Sequence, residues 1–227
     1  MRKSLSYKIL AAVLALTAIN YALPANTTAG EVNDNYYVDN DGENVNGDYN
    51  FVYGNEHSFT FEGEAIEIFG SYNNLSSDTL SNITITVNNS YVSREVYGVY
   101  SEGNNDITNN HVTINNNSII LRTVCGAFSS GGKVTNNYVT INDSKVYYEV
   151  CGGASTNGEV SNNYVIINES TINNNTVVRG GYSNTGDVFG NHVTVNGGTL
   201  NSVQGGFSHE GNVNDNHVTI SNANITG

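Results

Sequence analysis

The sequence predicts an all-β fold, a right-handed parallel β-helix (β-solenoid) of about six coils of 25–28 residues each. One observation is a short phrase whose leading residue recurs at spacings of 28, 28, 26, 28 and 25 residues, from Ile68 to Val203. A second phrase recurs within the units as NNHVTI, NNYVTI, NNYVII, GNHVTV and DNHVTI, starting at residues 109, 136, 162, 190 and 215. A fixed period in this range is typical of stacked repeats, and we assign residues 68–227 to them.

The composition of each unit indicates strands rather than helices. Val, Ile, Thr, Tyr and Phe dominate the periodic positions, and these residues favour strands. In NNYVTI, Val139 and Ile141 alternate with Tyr138 and Thr140, which is the period of a half-buried strand. Because Asn, Gly, Asp and Ser cluster between these runs, we expect two or three short strands per unit, joined by tight turns. Stacked units bury apolar faces that a single unit leaves exposed.

Stacking converts equivalent positions into columns of side chains. Two columns are expected to face the interior: Ile68, Val96, Val124, Val150, Val178 and Val203, and Ile85, Val112, Val139, Val165, Val193 and Val218. One column is aromatic in five of six coils: Tyr72, Tyr100, Phe128, Ala154, Tyr182 and Phe207. Another is predicted to be a side-chain amide ladder at a turn: Asn110, Asn137, Asn163, Asn191 and Asn216. The recurrent glycines suit either a positive φ or a close approach of two backbones.

The first residues predict a secretory signal peptide, residues 1–25. Three basic residues precede an apolar run over residues 9–19, and small residues follow, so that we expect cleavage near Ala25 or Ala29. An apolar run of about 11 residues is shorter than a membrane-spanning helix requires. An uncleaved N-terminal anchor is the alternative.

The charge excludes one class of partner. The chain carries a formal net charge of −13, and removal of residues 1–25 leaves five Lys and Arg against 21 Asp and Glu. Nucleic-acid binding requires a basic surface, so we expect no nucleic-acid partner. Such acidity also disfavours contact with anionic membranes.

Residues 26–67 do not follow the repeat and hold ten acidic residues. A solenoid end exposes unpaired strand edges, so we interpret this segment as an N-terminal cap with disorder at its start. Phe59, Phe61 and Ile66 alternate toward Ile68 and are candidates for the beginning of the first coil. A calcium site is the alternative, and its candidate ligands are Asp39, Asp41, Glu43 and Asp48. Their spacing does not match the twelve-residue calcium loop, so no cofactor or metal is expected.

Cys125 and Cys151 occupy the same column in consecutive coils. Stacked strands bring such α-carbons to about 4.8 Å, which is within the range that a disulfide bridges. Two alternatives are open: a disulfide, which an exported protein retains, and two unlinked small residues. A nucleophilic cysteine has little support, because the repeat places no histidine beside either residue.

Neither a metal site nor a catalytic site emerges from the columns. His111, His192 and His217 share a column with Tyr138 and Tyr164, which predicts an outward-facing ladder of planar rings rather than a zinc site. Glu95, Glu149, Arg94, Arg122, Lys145 and Arg179 are scattered over coil edges, and Lys133, Glu159 and Asp187 share one further column. Because no columns converge into a cleft, we expect no catalytic residues and no enzyme.

The units GGKVTNNYVTIN, NGEVSNNYVIIN, TGDVFGNHVTVN and EGNVNDNHVTIS resemble repeats in large autotransporter passengers of anaerobic Gram-negative bacteria. The resemblance covers residues 68–227 and implies an adhesin-like passenger at the cell surface. It also implies two partners, an outer-membrane translocator and a glycan or protein on a host or neighbouring cell. The chain departs from this family in stopping at Gly227 without barrel strands or a linker helix, so we expect a fragment, a truncated product or a stand-alone repeat protein. The other two hypotheses are a glycan-active β-helix enzyme and a ligand-free spacer.

Overall fold

The computed structural model describes residues 27–29, 36–37, 58–73, 79–173 and 177–227. In these residues the chain is an all-β parallel β-solenoid of about six coils, and strands of successive coils pair in parallel. This confirms the predicted all-β parallel β-solenoid and its number of coils. The described residues contain no helix, so none of them forms a helix that is long and apolar enough to cross a membrane.

Four parallel sheets run along the solenoid. The first long sheet contains β1 (Thr27–Ala29), β3 (Ser58–Phe61), β7 (Thr84–Asn88), β11 (His111–Asn115), β15 (Tyr138–Asn142), β19 (Tyr164–Asn168), β23 (His192–Asn196) and β27 (His217–Ser221). The second long sheet contains β2 (Tyr36–Tyr37), β5 (Ile68–Asn73), β9 (Val96–Ser101), β13 (Val124–Ser129), β17 (Val150–Ser155), β21 (Val177–Ser183) and β25 (Ser202–Ser208).

The two remaining sheets are built from two-residue strands. The first short sheet contains β4 (Glu64–Ala65), β8 (Tyr91–Val92), β12 (Ile119–Ile120), β16 (Lys145–Val146), β20 (Thr171–Ile172), β24 (Thr199–Leu200) and β28 (Asn224–Ile225). The second short sheet contains β6 (Leu80–Ser81), β10 (Ile107–Thr108), β14 (Val134–Thr135), β18 (Val160–Ser161), β22 (Val188–Phe189) and β26 (Val213–Asn214). A coil therefore has four strands rather than two or three, because a two-residue strand is too short to show an alternating pattern.

Coil stacking begins before Ile68, within the segment predicted to be a cap. Strand β3 pairs with β7 in register, with Phe59 opposite Ile85, and β4 pairs with β8, with Ala65 opposite Val92. Strand β1 in turn pairs with β3, which places Thr27 opposite Phe59. The predicted signal peptide, residues 1–25, and the calcium candidates Asp39, Asp41, Glu43 and Asp48 lie outside the described residues.

The predicted interior columns form one continuous hydrophobic core. From Ile68 to Val178 the leading column is fully buried, and from Ile85 to Val193 the second column is at most 1% exposed. Val203 and Val218 are the exceptions: Val203 is half-buried and Val218 is 42% exposed. Both lie in the terminal strands β25 and β27, whose sheets have no further described strand to cover them.

A buried asparagine ladder runs beside this core, as predicted. Each Nδ2 donates to the Oδ1 of the ladder asparagine in the next coil, at 2.9 Å from Asn110, 2.9 Å from Asn137, 3.0 Å from Asn163 and 2.8 Å from Asn191. The residue before each ladder asparagine has φ between 52° and 64°. Asn, Asp and Gly tolerate this left-handed conformation, which explains the recurrent NN, GN and DN dipeptides.

Close backbone approach, not positive φ, explains the main glycine column. A Cβ added to Gly126 would lie 2.3 Å from the carbonyl oxygen of Gly152 and 3.2 Å from Cβ of Asn137. The asparagine ladder and the second long sheet therefore pack against each other with no room for a side chain at this position.

Candidate functional site

The outer face of the second long sheet carries two neighbouring columns of aromatic rings. We call this surface the aromatic face; its rings are Phe69, Tyr72, Tyr97, Tyr100, Phe128, Tyr182 and Phe207. Within a column the rings stack, with centroids 5.6 Å apart for Phe69 and Tyr97 and 4.9 Å apart for Tyr100 and Phe128. Between columns they meet edge to face, at 5.2 Å for Tyr97 and Tyr100. Such contacts contribute about 0.5–1.5 kcal/mol per pair beyond burial.

The first column has no ring from Cys125 onward, and the second lacks one at Ala154, so both are without a ring in the coil of Cys151 and Ala154. Strand pairing puts Ala154 between Phe128 and Tyr182, and it puts Cys125 and Cys151 between Tyr97 and Arg179. The three small residues form a second apolar cluster, with Tyr97, Phe128 and Tyr182 packed against it. Where the rings are missing, a hollow of about 440 Å³ opens. The expectation that no columns converge into a cleft is therefore wrong.

The floor of this hollow is apolar and contains a disulfide bond. Cys125 and Cys151 lie opposite each other with α-carbons 4.7 Å apart, and a disulfide links their sulfur atoms. Cys125 is fully buried, and Cys151 and Ala154 are 3% and 8% exposed. The small side chains and the cross-link form the apolar base of the hollow.

Arg179 is held rigidly at one side of the hollow. Its Nη1 forms an ion pair with Oε1 of Glu149, and its Nε donates to Oε1 of Gln204 at 2.9 Å. The guanidinium carbon also lies 5.5 Å from the ring centre of Tyr182 and 5.6 Å from that of Phe207. A guanidinium over aromatic faces gains cation–π attraction, and here its charge is balanced by Glu149. The hollow thus has a polar side with little net charge.

Several charged residues that look scattered in the sequence stack beside the aromatic face. Arg94 forms ion pairs with Glu67 and with Glu95, the latter at 3.4 Å, and Arg122 pairs with Glu95 at 3.2 Å. These pairs fall in successive coils, because the repeat brings the corner before each strand of the second long sheet into register. Lys133 and Glu159 form a separate pair at 3.6 Å, as their shared column predicts. The Lys133–Glu159 pair is solvent-exposed, and such pairs contribute little to stability.

The hydroxyls of Tyr97 and Tyr100 on the aromatic face stay protonated. Burial raises the pKa of Tyr97 well above its ordinary value, and the nearby carboxylate of Glu95 raises it further. Burial also raises the pKa of Tyr100, with a contribution from Glu102. Both phenols therefore remain neutral and are available as hydrogen-bond donors across the physiological pH range.

Comparison with protein-family models, with curated proteins and with solved structures finds no match. The geometry of the chain alone therefore supports its functional interpretation. In the described residues, no three His, Cys, Asp or Glu side chains form a cluster that could hold a metal ion.

A second aromatic feature is the ladder on the first long sheet. His111, Tyr138, Tyr164, His192 and His217 stack with successive centroid distances of 4.6, 4.7, 4.9 and 5.0 Å. The predicted ladder of planar rings is confirmed. Partial burial lowers the pKa of His192 below 6.5, and the neighbouring His217 lowers it further. We call this stack the His–Tyr ladder.

The interruption of the aromatic face was readable in the sequence as two coincident gaps. Taken singly, the columns show Ala154 as one exception and the two cysteines as another. Only the register of β13, β17 and β21 shows that these exceptions adjoin each other. The signal that could have found the hollow is the absence of a ring from both columns in one coil, at Cys151 and Ala154.

Proposed function

We propose that this chain is an exported, right-handed β-solenoid that acts as an adhesin-like surface passenger and binds its ligand on the aromatic face. The single observation that carries the proposal is the ring-lined hollow over the Cys125–Cys151 disulfide. A concave site with aromatic sides and a few oriented polar groups is the usual form of a binding site. Right-handed crossovers are the general rule for parallel strand connections.

The chemistry of the hollow favours binding over catalysis. Glu149 and Glu95 are each engaged by arginine guanidinium groups, Glu149 by Arg179 and Glu95 by Arg94 and Arg122. A glycosidase instead needs one carboxylic acid and one carboxylate that flank a bond of the substrate. The proposed partner is therefore a glycan or protein on a host or neighbouring cell. Repetition of rings along the solenoid lets several weak contacts add.

The proposal includes export through residues 1–25 and a cell-surface or extracellular location, with an outer-membrane translocator as partner. Strand β1, Thr27–Ala29, pairs with β3, so the position at which the signal peptide is cleaved decides whether the mature chain keeps this strand. Cleavage near Ala25 retains this strand, whereas cleavage after Ala29 removes it. We propose cleavage near Ala25, and N-terminal sequencing of the exported chain tests it. A mature N-terminus beyond Ala29 would contradict it.

The binding proposal is tested by incubating the labelled chain with an array of immobilised glycans and matrix proteins. Tyr100→Ser removes a ring from the aromatic face, and Tyr164→Ser removes one from the His–Tyr ladder, so the second variant is a matched control. We expect specific binding that Tyr100→Ser weakens and Tyr164→Ser does not. The reducing ends released from every bound glycan are measured in parallel.

Three outcomes would contradict the proposal in different ways. Turnover of a glycan, abolished by substitution of Glu95 or Glu149, would favour the enzyme hypothesis. Binding that depends on Tyr164 and not on Tyr100 would move the ligand surface to the first long sheet. No binding to any glycan or protein would favour the ligand-free spacer.

A further inference from the structure

We infer that the gap in the aromatic column at Ala154 accepts one pyranose ring of a neutral saccharide, stacked between Phe128 and Tyr182. This inference rests on the proposed function, since it names the chemistry of the ligand for the same hollow. We call the space between these two rings the missing-ring gap.

The width of the missing-ring gap matches one ring. Phe128, Ala154 and Tyr182 are register neighbours in three successive coils, so about two inter-strand spacings, or roughly 9.6 Å, separate the outer two. Elsewhere in the same column, neighbouring rings stack at centroid distances of 4.9 Å for Tyr100 and Phe128 and 6.0 Å for Tyr182 and Phe207. Two such steps fit between Phe128 and Tyr182. A single inserted ring would therefore contact both rings at ordinary stacking distance.

The aromatic sides of the gap suit the C–H faces of a sugar. Phe128 and Tyr182 supply these apolar sides, and Ala154 and the Cys125–Cys151 disulfide supply an apolar base. Pyranose rings carry C–H groups on their faces and hydroxyl groups at their edges. A ring inserted between two aromatic faces thus buries its two C–H faces, and its edge hydroxyls reach the polar side of the hollow and the solvent.

The polar side of the hollow suits a neutral rather than an acidic sugar. Glu149 uses Oε1 for Arg179, and its Oε2 accepts no hydrogen bond from any other described residue, so it can accept from a sugar hydroxyl. The guanidinium of Arg179 is already engaged by Glu149 and Gln204, so it offers no uncompensated positive charge to a carboxylate. The formal net charge of −13 further repels acidic saccharides.

The test is saturation-transfer NMR of the purified full chain with methyl glycosides of glucose, galactose, mannose and N-acetylglucosamine. Methyl glucuronide is the acidic comparison, and indole is the flat aromatic comparison. Ala154→Tyr fills the gap with a ring and continues the column, whereas Ala154→Ser leaves it open. Tyr182→Leu removes one side of the gap, and its matched control, Tyr164→Leu, removes a ring from the His–Tyr ladder on the first long sheet. Competition titrations then give the affinities.

We expect at least one neutral glycoside to bind the wild-type chain, Ala154→Ser and Tyr164→Leu. Its affinity should fall about tenfold or more with Ala154→Tyr and with Tyr182→Leu. Ala154→Tyr should at the same time raise the thermal unfolding midpoint, which separates a filled gap from a misfolded variant. Preference for methyl glucuronide or for indole would overturn the inference.

Other outcomes separate the gap from the proposed function. If glycosides bind and Tyr182→Leu weakens binding no more than Tyr164→Leu does, the gap is not the site. The array comparison of Tyr100→Ser with Tyr164→Ser then still decides whether the aromatic face binds ligand. Equal binding of a glycoside by all variants would also show that the gap is not the binding site. If no glycoside binds, the inference fails, and the array of glycans and matrix proteins decides the proposed function independently.

Discussion

Replacement of Asn163 by Ala is expected to be among the most destabilising single changes in this chain. Asn163 is fully buried. Its Nδ2 donates to the carbonyl oxygens of Val134 at 2.9 Å and Ser161 at 3.1 Å, and to Oδ1 of Asn191 at 3.0 Å. Its Oδ1 accepts from the backbone N–H of Asn137 at 3.0 Å and from Nδ2 of Asn137 at 2.9 Å. The alanine variant deletes all of these bonds.

The expected loss in the free energy of unfolding follows from the polar groups that Asn163→Ala leaves unpaired. The backbone N–H of Asn137 loses its acceptor inside the protein, and the carbonyl of Val134 loses a donor. Each unsatisfied buried group costs about 1–3 kcal/mol, so Asn163→Ala should lower the free energy of unfolding by roughly 3–5 kcal/mol. Asn163→Asp keeps the size of the side chain but removes its donors and buries a charge, so it should cost at least as much.

The strand that follows Asn163, β19, offers a matched control in Asn168. Its Nδ2 donates to Oδ1 of Asn142 at 2.7 Å and its Oδ1 accepts from Asn196 at 2.9 Å, which forms a second asparagine ladder on the outside of the solenoid. Solvent replaces these bonds when the side chain is removed, so Asn168→Ala should cost less than about 1 kcal/mol. Urea unfolding followed by far-UV circular dichroism measures both variants. Equal losses for Asn163→Ala and Asn168→Ala would refute the claim that the inner ladder holds the coils together.

Three further predictions concern the core, the cross-link and the pH. Val139→Asp places a charge in the interior and should lower the free energy of unfolding, measured in urea, by more than about 4 kcal/mol. Thr140→Asp, on the outer side of the same strand, should lower it by less than about 1 kcal/mol. Similar losses for the two variants would mean that the inner and outer faces of the strand are misassigned. The Cys125–Cys151 disulfide closes a loop with a sequence separation of 26, so its reduction should lower the free energy of unfolding by about 3 kcal/mol. Intact-mass analysis after alkylation without reductant tests whether the bond is present. Two alkylated cysteines would contradict it. The pKa of His192 lies below 6.5 in the folded chain, so the unfolded chain takes up the proton first as the pH falls. The stability contributed by neutral His192 is therefore complete above pH 6.5 and decreases below it. His192→Tyr should accordingly lose less of its urea unfolding midpoint than the wild-type chain does between about pH 7 and pH 5. An unchanged pH dependence of the midpoint would contradict this assignment.

Much of the architecture could be predicted because the repeat fixes which residues become neighbours. Once coils are aligned on Val124 and Val150, strand pairing follows, and with it the interior columns, the inner asparagine ladder and the opposition of Cys125 and Cys151. The outward His–Tyr ladder follows from the same alignment. In each case one sequence column corresponds to one physical line of side chains, so the inference needs no knowledge of how different columns are arranged around the coil.

The hollow could not be predicted in this way, because it depends on two columns at once. The distance between neighbouring columns is set by the path of the strand between Cys125 and Phe128, which a sequence alignment does not contain. The ion pairs of Arg94 with Glu67 and of Arg179 with Glu149 were missed for the same reason, since their partners occupy different columns of different coils. The two-residue strands at the corners also escaped prediction.

The central claim is that ligand binds on the aromatic face of the second long sheet. Its most direct test is an NMR titration of the full chain, labelled with carbon-13 in the rings of Tyr and Phe, with the tightest-binding glycan or protein fragment from the array. The account predicts shifts of the ring resonances of Tyr97, Phe128 and Tyr182, with those of Tyr138 and Tyr164 unchanged. Shifts confined to the His–Tyr ladder, or saturable binding with no shift of any ring on the aromatic face, would contradict it.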